Sequence, residues 1–166
     1  MGNCKVHMSG IWPSRRTGMS VKGCSDLPGY THLPVWNDLL YVGNQYAAAA
    51  KHFDTVISTV TPLDLHGAKA PHLTSFKLHF PDKLGEESSA EISLARSRLI
   101  EGAGLVARSI ADGRRTLVHC RWGQNRSGSI ACSYAVLYLG WTATTAIHYF
   151  QEQHYSGRSF KGQAPT

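Results

Sequence analysis

The chain has 166 residues, enough for one domain with a sizeable core, and 42% of them are apolar while 17% are charged, as in ordinary globular proteins. No apolar run approaches membrane-spanning length; the four cysteines (Cys4, Cys24, Cys120 and Cys132) contain no C-x2-C pair, which argues against a metal cluster, and a chain of this size and composition is not expected to need a disulfide framework. A formal net charge of +6 points to an anionic partner, such as phosphate, nucleic acid or a membrane surface, without choosing among them.

Residues 1–34 carry Gly, Pro, Ser and basic residues with no sustained period, and read as an irregular lead-in. They lack the apolar core of a secretory signal, so the expected location is the cytosol or nucleus, where thiols stay reduced. Met1-Gly2-Asn3-Cys4 raises a lipidation reading, with acyl groups on Gly2 and Cys4. Val6 breaks the usual M-G-x-x-x-[ST] pattern, so membrane contact is expected only if those two residues are acylated.

The domain is expected over residues 35–155. "DLLYVG" reads as a short strand and "NQYAAAAKHF" as a helix with Asn44 as N-cap. "DTVISTV" is β-branched and reads as a strand, and "LTSFKLHF" as another. The loop "PDKLGEES" leads to Ser88-Ser89-Ala90-Glu91, a capping box opening a helix to about Ala111. Ile92, Leu99, Val106 and Ile110 fit one face of that helix. Gly102 and Gly104 weaken it by roughly 1 kcal/mol each relative to Ala, and would permit close packing. Asp112-Gly113 reads as the stop. "RTLVHC" is short and apolar, as in a buried parallel sheet. A helix over 127–139, Gly140, and a last helix "TATTAIHYFQEQH" follow, and residues 156–166 read as a loose tail. Strands alternating with helices predict an α/β fold with a mostly parallel central sheet flanked by helices.

Chemistry concentrates where "RTLVHC" ends. In open α/β sheets, ligands bind beyond the carboxyl ends of the strands. The turn Cys120–Arg126 lies there, ahead of a helix, where backbone N–H groups and the helix dipole favour an anion. A tetrahedral phosphate suits that cradle. Such a field favours the thiolate of Cys120, a nucleophile able to attack phosphorus. The planar fork of Arg126 matches two phosphoryl oxygens. Gly123 permits a tight path with positive φ. Gly128 would allow close helix–sheet packing. Ser127 can donate to the cysteine sulfur as it leaves, and His119 can hold the loop through its ring nitrogens.

His119-Cys120, five residues, then Arg126-Ser127 resembles the H-C-x5-R-[ST] signature of cysteine-dependent protein phosphatases, and "HCRWGQNRSG" is most similar to the small dual-specificity branch. The resemblance spans roughly residues 35–155. It implies a protein-tyrosine-phosphatase-like fold, a cysteinyl-phosphate intermediate, no metal or other cofactor, and a phosphorylated protein as substrate. Arg121, Trp122, Gly123, Gln124, Asn125 and Arg126 would hold the phosphate, with Trp122 and Gln124 at the rim biasing substrate choice. The mechanism also needs a general acid. Asp54, Asp64, Asp82, Glu86 and Glu87 lie upstream. Asp82 is favoured, because it follows a strand and Phe80-Pro81-Asp82 resembles the Trp-Pro-Asp loop of larger tyrosine phosphatases; Asp64 is the runner-up. Phosphoinositide phosphatases of the superfamily tend to carry lysines inside the loop; Gln124 is not one, but Arg121 offers charge, so an inositol lipid stays as an alternative substrate. Asn125-Arg126 also occurs in RNA 5′-triphosphatases, so RNA stays as an alternative, though no aromatic-interleaved basic stretch supports it. A phospho-binding module without turnover is the non-enzyme alternative. Cys132 reads first as a small core residue, and second as a partner that traps oxidised Cys120.

Overall fold

The computed structural model of the chain describes residues 30–47, 53–60, 74–82 and 88–156. Five strands form one sheet: β1 (Tyr30–His32), β2 (Leu40–Gly43), β3 (Thr55–Ser58), β4 (Thr74–Lys77) and β5 (Thr116–His119). The spatial order is β1-β2-β5-β3-β4. All neighbours are parallel except β1, which runs antiparallel to β2 with Thr31 opposite Val42. The order puts β5 at the centre, with both β2 and β3 on it. Gly43, His119 and Ser58 lie side by side where the three strands end. β3 and β5 are buried at every position, because parallel strands in the middle of a sheet are covered on both faces.

Three helices complete the fold: α1 (Ser89–Ala111), α2 (Asn125–Leu139) and α3 (Ala143–Ser156). The capping box at the start of α1 is formed, with the Glu91 N–H donating to Ser88 Oγ at 3.3 Å and the Ser88 N–H donating to Glu91 Oε2 at 2.9 Å. The helix stops at Asp112 and Gly113 as expected. α1 lies against α2 closely enough that a Cβ on Gly102 would meet Ile130 at 2.8 Å. The main core gathers Leu40, Val42, Ile57, Val106, Val118, Ile130 and Phe150, while a smaller cluster joins Phe53, Val56 and Leu117. Among the described residues, no helix is long and apolar enough to cross a membrane.

Several expectations are corrected. β1 lies inside the stretch read as irregular lead-in; three residues hydrogen-bonded at a sheet edge leave too short a pattern to show. α2 begins at Asn125 rather than at residue 127, so Arg126 sits in its first turn. Gly128 packs helix on helix, not helix on sheet: a Cβ there would come within 2.5 Å of the Phe150 ring of α3. Ile92 departs from the buried face of α1; it is 51% exposed, while Val106 is fully buried. The helix expected over 44–53 is only partly described. Its cap is present, with Asn44 Oδ1 accepting from the N–H groups of Tyr46 and Ala47. Gly2, Cys4, Cys24, Asp64, Glu86, Glu87 and residues 157–166 lie outside the described residues.

Candidate active site

Cys120 follows the last residue of β5. Its N–H donates to Gly43 O at 3.2 Å, which ties the start of the loop to β2. The sulfur is buried and accepts two hydrogen bonds, from the Gly123 N–H at 3.1 Å and from Ser127 Oγ at 3.3 Å. The loop therefore curls back over its own cysteine. Gly123 makes this possible. Its φ is +74°, and a Cβ there would stand 2.8 Å from the Gly43 carbonyl carbon, so both the turn and the close approach to β2 exclude a side chain. Ser127 is fully buried.

Arg126 closes the loop from the first turn of α2. Nη1 donates to Thr59 O at 3.2 Å, and Nη2 lies 3.4 Å from Asp82 Oδ2. The arginine side chain is 11% exposed and the aspartate 32%. Asn125 Nδ2 reaches Asp82 Oδ1 at 3.4 Å, a long hydrogen bond. Arg126 Nε is buried and has no partner among the described residues, which leaves a guanidinium donor available to an anion.

The rim is open. Trp122 is 63% exposed, and the Arg121 guanidinium lies 5.3 Å from its ring centroid, within cation–π range. The Gln45 N–H contacts Arg121 O at 3.4 Å, so the turn after β2 braces the rim. Gln124 precedes α2 without a side-chain cap bond.

His119 behaves differently from expectation. Its ring is fully buried, and neither ring nitrogen forms a hydrogen bond among the described residues. Burial lowers its pKa to about 4, opposed by the nearby Cys120 backbone. The ring is thus neutral and held by packing. The backbone does the holding: His119 O accepts from both the N–H and Oγ1 of Thr59, at 3.0 and 3.2 Å.

Thr59 is the residue that sequence reasoning missed. It is buried, grips His119 O, and offers its own carbonyl to Arg126. It follows the end of β3 at Ser58, which frees its backbone for these bonds. Only the strand order, unknown from sequence, brings it beside the loop. Of the two considered acids that lie among the described residues, Asp82 stands at the loop and Asp54 does not. Asp54 lies at the opposite end of β3, where its carboxylate accepts from the Arg115 N–H at 2.8 Å. That backbone bond, foremost, lowers its pKa. Cys132 is a buried free thiol whose pKa burial pushes up to about 12, which fits a packing residue. Among the described residues, no group of three or more His, Cys, Asp or Glu is placed to hold a metal ion.

The family model for the dual specificity phosphatase catalytic domain matches residues 40–163. No curated protein matches the chain. Among solved structures, human DUSP28 aligns with a TM-score of 0.59 at 18% identity, covering 76% of this chain and 81% of that one. A mouse putative dual specificity phosphatase, complexed with zinc tungstate, aligns with a TM-score of 0.63 at 18% identity, covering 78% and 77%. OH1 from the Orf virus, described as a tyrosine phosphatase with triple substrate specificity, aligns with a TM-score of 0.54 at 23% identity, covering 80% and 76%. These likenesses concern the fold. The family match spans most of the chain and includes the whole Cys120–Ser127 loop, and the chain therefore belongs to the dual specificity phosphatase family, as a small cysteine-dependent phosphatase of the protein tyrosine phosphatase superfamily.

Proposed function

We propose that the chain hydrolyses phosphotyrosine and phosphoserine or phosphothreonine in protein substrates through a cysteinyl-phosphate intermediate. The observation that carries this reading is the hydrogen-bonded sulfur of Cys120 inside a loop closed by Arg126, with Asp82 3.4 Å from that arginine. The phosphoryl group settles on the loop N–H groups and the Arg126 fork, and the α2 dipole adds attraction for its charge. The thiolate attacks phosphorus. As the P–O bond breaks, protonated Asp82 gives its proton to the leaving oxygen. Water then attacks the phosphocysteine, ionised Asp82 takes a proton from it, and the S–P bond breaks. The Ser127 hydroxyl, already aimed at the sulfur, steadies the departing thiolate. Thr59 and Asn125 are positioning residues: one anchors Arg126, the other Asp82.

The exposed rim at Trp122 supports a protein substrate of either phosphoresidue class. The test is kcat/KM across phosphotyrosine and phosphothreonine peptides, an inositol phospholipid and a 5′-triphosphate RNA, without added metal and with Cys120→Ser as blank. Preference for the peptides is expected. Preference for RNA or lipid would keep the Cys120 chemistry and overturn the substrate class. Phosphoryl-ligand binding with no turnover in the unaltered protein would leave only the binding-module alternative.

A further inference from the structure

A second site lies among the helices, with Pro81 at its edge. α1, α2 and the start of α3 enclose an apolar groove of about 570 Å³, within the range of small-molecule sites. Its floor includes Leu99, Cys132, Val136 and Ile147, and its lips are Ile92, Ile100 and Leu137, each more than half exposed. Exposed apolar residues gathered around one hollow mark a binding surface more often than scattered ones do.

The charges at the groove say what fits it. Glu91 lines one end, but its carboxylate is engaged by the backbone N–H and hydroxyl of Ser88 in the capping box. Arg96 also lines the groove, and it forms no ion pair among the described residues. Arg96 and Ile100 are shared with a smaller adjoining cleft of about 340 Å³, whose other walls are Ser93 and Ser97. An apolar trough thus runs into a cleft bearing one cation and two hydroxyls. We infer that this groove binds a single-chain amphiphile with an anionic head, such as a fatty acid: the chain lies along α1 and α2, and the carboxylate meets Arg96, Ser93 and Ser97.

The probe is laurate, titrated into the full chain below its micelle concentration by calorimetry, beside dodecanol and dodecylamine. One-to-one binding is expected, with laurate bound more tightly than the neutral alcohol and the amine weakest. Across saturated acids, affinity should rise roughly fourfold per added methylene until the groove is filled. Ile92→Glu and, as a second variant, Ile100→Glu place a charge on an exposed lip and should abolish binding with the unfolding temperature unchanged. Arg96→Gln should equalise laurate and dodecanol. Three results would overturn the inference: no laurate binding to the full chain, as when another segment of the chain or a second copy fills the groove; binding indifferent to both lip variants; or equal affinity for laurate and dodecylamine.

Discussion

Two aspartate–arginine pairs stand at opposite ends of the same pair of strands, and they do different things. Before β3 and β5, Asp54 meets Arg115 Nε at 3.4 Å, with both side chains more than 40% exposed. Beyond the other end, Asp82 meets Arg126 Nη2 at the same 3.4 Å, with the arginine largely buried. Distance and residue types do not separate them. Their surroundings do. Asp54 takes its best bond from the Arg115 backbone and ties two strands together. Around Arg126, whose own Nε has no partner among the described residues, lie a thiol sulfur accepting two hydrogen bonds and a helix N-terminus. An ion pair in water is a minor fastening; the same pair beside aligned donors belongs to a site that attracts an anion.

Substitutions can break this contrast, beginning at the buried end. Asp82→Ala should lower kcat by roughly 10²–10⁴ on an alkyl phosphate, the usual share of a general acid. It should matter far less on an aryl phosphate whose leaving group needs no proton. An equal fall on both would move the acid elsewhere. Arg126→Lys keeps the charge but loses the fork, and a fall of roughly 10²–10³ in kcat/KM is expected, as for loss of a transition-state donor. Near wild-type rates would mean that point charge suffices.

Two buried histidines, His119 at the end of β5 and His154 on α3, give a test by pH. Burial lowers both His119 and His154 from 6.5 to about 4. The unfolded chain takes up protons near 6.5 and the folded chain only near 4. Stability therefore rises with pH between those values and levels off above them. Moving from pH 7 to pH 5 should remove up to about 2 kcal/mol per ring. A urea midpoint that does not move over this range would show that the rings reach water. The smallest effect belongs to the exposed pair: Asp54→Asn should cost less than about 1 kcal/mol in a denaturant titration and leave kcat/KM unchanged. A large loss of activity there would erase the distinction between the two ends.

What the sequence disclosed follows the same division. Contiguous features were legible: the strand over 116–119, the capping box, the stop at Gly113, and the loop whose eight positions sit together in the chain. The place of Asp82 beside Arg126 was legible because it follows a strand, opens a loop and ends a Phe-Pro-Asp run. Thr59 was not, since its role arises only when β3 falls beside β5. The ring of His119 was misread for a related reason: its nitrogens were assigned work that the backbone carbonyl performs. Gly128 showed that something packs closely on α2 but could not say that the neighbour was Phe150, 22 positions on.

The strand order carries one more consequence, for how the folded chain behaves in a crowd of its own copies. Edge strands offer unpaired N–H and C=O groups to any extended segment that drifts past, and long, flat, apolar edges seed aggregates. Here the long-range pairing is spent in the interior. Among the described residues, the borders are β1, three residues long, and β4, four residues long and ending on exposed Lys77. Neither border gives a foreign strand enough ladder to zip onto, and one of them meets it with a positive charge. The arrangement that centres the reactive cysteine also keeps the sheet from growing.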